Sequence, residues 1–205
     1  MDFLTLADYA GTCAFAISGT LSASEKRLDL FGAAFIGFVT AIGGGTTRDV
    51  LLGNTPVTWI QGNTYFILIL SAILFTFVFH RYIIKLKNTL FLFDTLGIGA
   101  FTIIGLEKGL EFGLTEPVAI IMGLSSAVVG GVIRDTLCND VPIIFHKEIY
   151  ATACIAGSIV YLILAKLNVN LIVTESITIS TIIIVRLLAI KFNLSLPTVT
   201  TAQKD

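Results

Sequence analysis

Charged side chains are scarce in this 205-residue chain: Asp, Glu, Lys and Arg make up 13% of it, about half the share usual in soluble domains. With 55% hydrophobic residues and a mean hydropathy of +0.92, that scarcity excludes a water-exposed globular surface. Thirteen basic residues stand against fourteen acidic ones, a net charge of −1, so there is no basic footprint and no nucleic acid is expected as a partner. Cysteine is equally sparse. Cys13, Cys138 and Cys154 stand far apart with no C-x-x-C pairing, which excludes a disulfide framework and leaves them as small packing residues. His80 and His146 have no metal-ligand spacing, and neither a metal nor a cofactor is expected. The amino terminus lacks the Lys or Arg that opens a secretory signal and carries Asp2 and Asp8 instead, so the first apolar run is expected to stay in the mature protein.

What the chain does have is long apolar runs. A bilayer-spanning helix needs about 20 mostly apolar residues, and such runs fall near residues 3–21, 30–50, 63–84, 89–107, 117–135, 148–166 and 170–190. Seven spans with short connections consume most of the chain and leave no room for a soluble catalytic domain. The expectation is an all-α, polytopic membrane protein that is not an enzyme. The basic residues vote on its orientation. Lys26, Arg27, Arg81, Lys85, Lys87, Arg134, Lys147, Arg186, Lys191 and Lys204 share one side, and Arg48, Lys108 and Lys166 fall on the other. The positive-inside rule then puts the amino terminus outside and the carboxy terminus in the cytoplasm of a cell (inner) membrane.

Compared with itself, the chain aligns without a gap at a shift of 86 residues. Asp8 falls on Asp94, Gly11 on Gly97, Ala14-Phe15 on Ala100-Phe101, Gly19 on Gly105, Gly37 on Gly123 and Pro56 on Pro142. The match is sharpest where Gly44-Gly45-Thr46-Thr47-Arg48-Asp49 overlays Gly130-Gly131-Val132-Ile133-Arg134-Asp135. Three spans separate equivalent points, so the second copy crosses the membrane in the opposite direction. The expected plan is an inverted 3+3 repeat, about 3–84 and 89–166, plus an extra helix at about 170–190. Transporters and channels built this way carry their path at the interface of the halves.

Glycine costs about 1 kcal/mol relative to alanine inside a helix, so Gly43-Gly44-Gly45 and Gly130-Gly131 predict a kink or break in the second and fifth spans. Freed backbone groups at that depth need protein or a wet cavity around them. Arg48, Asp49, Arg134 and Asp135 follow within a few residues, and charges there are costly unless paired or hydrated. Because neighbouring helix residues do not face each other, the expected pairs run across the halves: Arg48 with Asp135 or Asp94, and Arg134 with Asp49 or Asp8. Two Arg and four Asp leave a carboxylate surplus that favours cations in a narrow pore, with the hydroxyls of Thr46, Thr47, Ser125 and Ser126 available to replace hydration water. The plainer alternative is that the glycines let the two helices cross closely. Among lesser features, Gly105, Gly109 and Gly113 are expected to mark a helix exit, and Trp59, Tyr65, Tyr82, Tyr150 and Tyr161 interfacial anchors.

On these residues the chain resembles the prokaryotic trimeric intracellular cation (TRIC) channels, a sequence family also labelled as bacterial glycine transporters and as uncharacterised inner-membrane proteins. The duplicated Gly-Gly-x-x-Arg-Asp, the Asn54-Thr55-Pro56 and Asp140-Val141-Pro142 turns, and the seven-span plan carry the likeness over roughly residues 5 to 190. The resemblance implies a homotrimer in membrane lipid, with a potassium-permeable pore in each protomer. That pore would be lined by Gly43–Gly45 and Gly130–Gly131 and by Arg48, Asp49, Arg134 and Asp135. Helix breaks at a pseudo-twofold fit a carrier of glycine or another small amino acid as well. A protease dyad of Asp8 and Asp94 is disfavoured, since the duplication already accounts for both and no Gly-x-Gly-Asp is present. A retinal protein is excluded by the want of a lysine deep in the last span.

Overall fold

The computed structural model describes residues 2–83, 89–146, 149–192 and 194. Among them the chain forms seven α-helices: α1 (Phe3–Glu25), α2 (Leu30–Leu51), α3 (Asn63–Ile83), α4 (Thr89–Glu111), α5 (Glu116–Leu137), α6 (Ala151–Lys166) and α7 (Leu171–Phe192). Single 3-10 turns at Thr58–Ile60 and Ile143–Phe145 follow α2 and α5. Local chemistry sets the ends. The Asp2 carboxylate accepts from the Thr5 amide at 2.9 Å and that of Asp29 from the Gly32 amide at 2.7 Å, satisfying amides the first turn leaves free. The hydrogen bonds from Thr5 hold the Asp2 carboxyl below the usual carboxylate range. Just past α2 and α4 the chain turns through Gly53 (φ 70°) and Gly113 (φ 77°), the left-handed geometry that closes a helix.

Five helices, α2, α3, α4, α5 and α7, are long and apolar enough to cross a bilayer, and the chain is a multi-pass membrane protein. The other two depart from the simple span in opposite ways. At 16 residues, α6 is about 24 Å long at 1.5 Å per residue, short of the ~30 Å hydrocarbon core; it begins at Ala151, three residues later than its apolar run suggests. In contrast, α1 is long enough but rich in Gly, Ser and Thr, and twelve of its residues are buried. It sits inside the bundle against α2, α3 and α4, where small side chains serve packing and a lipid-facing surface is not needed. Lys85, Lys87, Lys147 and Lys204, which weigh in the charge asymmetry, lie outside the described residues.

The bundle centre is built from residues 86 positions apart. Phe15 and Phe101 stack at 5.4 Å with an interplanar angle of 11°. Each ring packs on the other half's glycine, Phe15 on Gly97 and Phe101 on Gly11. Two close crossings flank this pair. A Cβ on Gly19 would lie 2.8 Å from the Gly37 Cα, and one on Gly105 2.8 Å from the Gly123 Cα. Backbone contact of this kind replaces the hydrophobic drive that lipid cannot supply. Four buried threonine hydroxyls are satisfied within their own helices: Thr20, Thr40, Thr76 and Thr102 each donate to the carbonyl four residues earlier.

Candidate functional site: two Arg-Asp clusters and one cleft

Both α2 and α5 run as uninterrupted α-helices through their glycines, so the expected break is absent and close crossing explains the motif. A Cβ on Gly44 would fall onto the Ser126 carbonyl oxygen, and one on Gly130 onto the Thr40 carbonyl oxygen. Gly43 packs on Ile133 and Gly130. Only glycine admits this antiparallel contact of backbone on backbone, and hydrogen-bonded helix interiors can absorb its propensity cost. The Ser126 hydroxyl is buried at the crossing without a hydrogen-bond partner. Neighbouring Ser125 is half-buried.

Beyond the crossing the arginines bond differently from the pairing expected across the halves. Arg48 holds its own neighbour, with Nε and Nη2 at 2.9 and 2.8 Å from Asp49 Oδ1. Arg134 Nε likewise donates to Asp135 Oδ1 at 2.7 Å. The long guanidinium folds back along the helix end and presents its edge to the next carboxylate, a reach that a Cβ-based argument omits. Among the described residues neither Arg48–Asp135, Arg48–Asp94, Arg134–Asp49 nor Arg134–Asp8 forms an ion pair. The reason is register: α2 and α5 cross antiparallel at Gly44 and Gly130, so each arginine lies about 6 Å further along its axis, toward opposite ends of the bundle. The second oxygen of each Asp is taken by the following turn. Asp49 Oδ2 accepts from the Thr58 amide at 2.8 Å and from its hydroxyl at 2.6 Å, and Asp135 Oδ2 accepts from the Ile143 amide at 3.0 Å.

The two clusters then diverge. Around Arg134 the acid stays in place: Nη1 donates to Asp94 Oδ1 and to the Ser18 hydroxyl, both at 2.6 Å, and Arg134 and Asp94 are fully buried, with Arg134 Nη2 and Asp94 Oδ2 left without a hydrogen-bond partner. Gly131 lies beneath them, its Cβ position 3.2 Å from the Tyr150 hydroxyl and 3.5 Å from Asp94. Around Arg48 the matching acid has moved off. Asp8 instead accepts from the Tyr65 hydroxyl at 2.5 Å, and a small cleft, with room of about 20 Å³ for the centre of a water, opens between Asp8, Thr12, Gly45, Arg48, Asp49 and Tyr65. Arg48 Nη1 is buried there with no hydrogen-bond partner. At Gly45 a Cβ would have 3.7 Å to its nearest neighbour, so this glycine borders space where Gly44 borders backbone. Thr46 accepts from Trp59 Nε1 at 3.0 Å, and Thr47 donates back to the Gly43 carbonyl.

Several cleft residues were not legible as such. Lys108, just past the fourth apolar run in the sequence, belongs to α4 and brings Nζ to 3.6 Å from Asp49 and 3.4 Å from the Thr58 hydroxyl. Its charge reduces the carboxylate surplus of the two clusters from two to one. Trp59 and Tyr65 line the cleft, while Tyr150 and Tyr161 are buried; of the five expected anchors, Tyr82 is the one left widely exposed. A hydroxyl or indole N–H bonded to a buried acid or threonine looks the same in sequence as one bonded to a headgroup. Gly105 and Gly109 pack against α5, and the helix exit falls at Gly113 alone.

A family model described as glycine transporter matches residues 5–81 and 91–166, on either side of the α3–α4 connection. The UPF0126 inner membrane protein YadS of Escherichia coli K12 is 38% identical over 193 residues, 93% of each chain. A UPF0126 membrane protein of Vibrio cholerae is 38% identical over 95% of this chain and 82% of its own length. Among solved structures, one described as the structural basis for conductance through TRIC cation channels superposes with a TM-score of 0.87 at 38% identity, covering 98% of both chains. The TRIC orthologue from Rhodobacter sphaeroides gives 0.89 at 32% identity, over 95% of this chain and all of the other. With the fold shared end to end and the duplicated motif in place, the chain belongs to this family of UPF0126 membrane proteins, the prokaryotic TRIC channels.

Proposed function

We propose that the protein is a monovalent cation channel, with potassium as the principal ion, whose path runs inside each protomer between α1, α2, α4 and α5. The observation that carries this reading is the full-length likeness to TRIC cation channels at TM-scores of 0.87 to 0.89. The geometry agrees with it. The cleft at Arg48 supplies two acids, Asp8 and Asp49, and a threonine-lined wall, whereas the equivalent position at Arg134 is filled by the Asp94 and Ser18 bonds. A path through both is therefore open at one end and shut at the other, the Arg134–Asp94 pair being the barrier that must yield for ions to pass. The halves act as inverted repeats, as the Phe15–Phe101 stack and its reciprocal glycines support, with α7 added outside them. The amino terminus faces outward, and the functional unit is a homotrimer, as the name of the Rhodobacter sphaeroides orthologue states for that protein. No catalytic chemistry is assigned.

A second reading, carriage of glycine, is favoured by one feature besides the family description: the free Arg48 Nη1 beside Asp8 could bind the carboxylate and ammonium of a zwitterion. Recording from purified protein in planar bilayers separates the two. Unitary potassium currents that reverse with the cation gradient support the channel. Saturable glycine counterflow without such currents refutes it.

A further inference from the structure

Apart from both Arg-Asp clusters, a pair of glutamates is buried between the extra helix and the rest of the bundle. Glu107 of α4 is 8% exposed and Glu175 of α7 is 3% exposed. Gly99 of α4 packs on Ile179 and Ile183 of α7, its Cβ position 3.5 Å from each, a register that sets Glu107, two turns further on, opposite Glu175 and within interaction range of it and of Tyr161 of α6. One Glu107 oxygen, Oε1, is buried with no hydrogen-bond partner. Two carboxylates cannot hydrogen-bond to each other, since both are acceptors only; a bond between them forms only when one of them carries a proton. Among the described residues no cation neutralises the pair instead. On α4, Lys108 is turned toward Asp49 and Glu111 adds negative charge. On α5 and α6, Glu116 and Lys166 pair with each other at 2.9 Å, and from the start of α1 Asp2 contributes a further acid. Apolar side chains from α1, α4, α5, α6 and α7, among them Leu4, Leu106 and Ile179, pack around Tyr161 and separate the site from water.

We propose that Glu107 and Glu175 form a proton-binding site, a single shared proton clamping α7 onto α4 and α6. The site lies outside the duplicated motif: the position equivalent to Glu107 in the first half is Leu21. It is therefore a device of the extra helix and does not depend on the channel reading. Removing the proton leaves two like charges in contact in a low-dielectric setting with no counterion, which drives α7 away from its seat.

The test is infrared spectroscopy and thermal unfolding of the full-length protein in lipid nanodiscs across pH, for wild type, Glu107→Gln and Glu175→Gln. Glutamine keeps the shape and can donate the same hydrogen bond to the remaining carboxylate, so the variants retain the contact. In wild type a protonated-carboxyl stretching band is expected at neutral pH, absent from both variants. Unfolding releases the shared proton, so wild-type stability falls as pH rises, by up to tenfold per pH unit in the folding equilibrium, while both variants lose that slope. A wild-type band and pH slope unchanged in the two variants would overturn the proposal. So would a stability that follows potassium or sodium concentration at constant pH, since the occupant would then be a metal cation.

Discussion

Gly44 and Gly45 are adjacent, and the structure gives them opposite surroundings. An alanine methyl at 44 meets the Ser126 backbone carbonyl, which cannot rotate away, so α2 and α5 must separate. At 45 the same methyl finds its nearest atom 3.7 Å away, at the tip of Arg48. Both substitutions gain the same helix propensity, about 1 kcal/mol, which cancels when the two variants are compared with each other. What remains is the overpacking cost at 44, about 1–3 kcal/mol. At about 2–4 °C per kcal/mol for a chain of this size, Gly44→Ala is expected to melt several degrees below Gly45→Ala, with Gly45→Ala at or above wild type. Fluorescence-detected thermal unfolding in detergent measures this directly. If the glycines served to break the helices, both alanines would act alike, and equal melting temperatures would refute the close-crossing account.

Further outcomes follow from the charges. Arg134→Leu leaves Asp94 and Asp135 buried without their counterion and should cost about 3–5 kcal/mol, read as lost yield and a collapsed melting temperature. Asp8→Asn, whose hydrogen-bond partner is the neutral Tyr65, should cost only about 1–2 kcal/mol in the same assay. Lys108→Gln removes a positive charge from the cleft; at about 8 Å from a passing cation, even in a water-like dielectric, that is worth about 0.5 kcal/mol and roughly a twofold rise in unitary conductance. The Lys26–Asp140 bridge at 2.6 Å raises the Lys26 ammonium above its ordinary range through the Asp140 hydrogen bond. Its stabilising contribution is thus present below the unfolded lysine value and lost as pH rises through the folded one. Because the pair is exposed, Lys26→Gln should leave the neutral-pH melting temperature close to that of wild type.

The membrane setting, the number of helices and the duplicated Arg-Asp motif were legible in the amino-acid order alone, because each is written in local composition or in a fixed spacing. The 86-residue offset paired Phe15 with Phe101 and Gly11 with Gly97 as equivalents; that the two rings stack and that each lies on the other half's glycine came from the tertiary structure. The offset could not say what the glycines do. A helix break and a close crossing call for the same residue, and only the position of Ser126 and Thr40 against Gly44 and Gly130 decides between them. The pairing of Arg48 with its own neighbour, the desertion of Asp8 to Tyr65 and the arrival of Lys108 at Asp49 depend on side-chain reach across four helices, for which no periodicity exists. The same is true of Glu107 and Glu175: 68 residues apart and unrelated by the repeat, they become a pair only because α7 packs where it does.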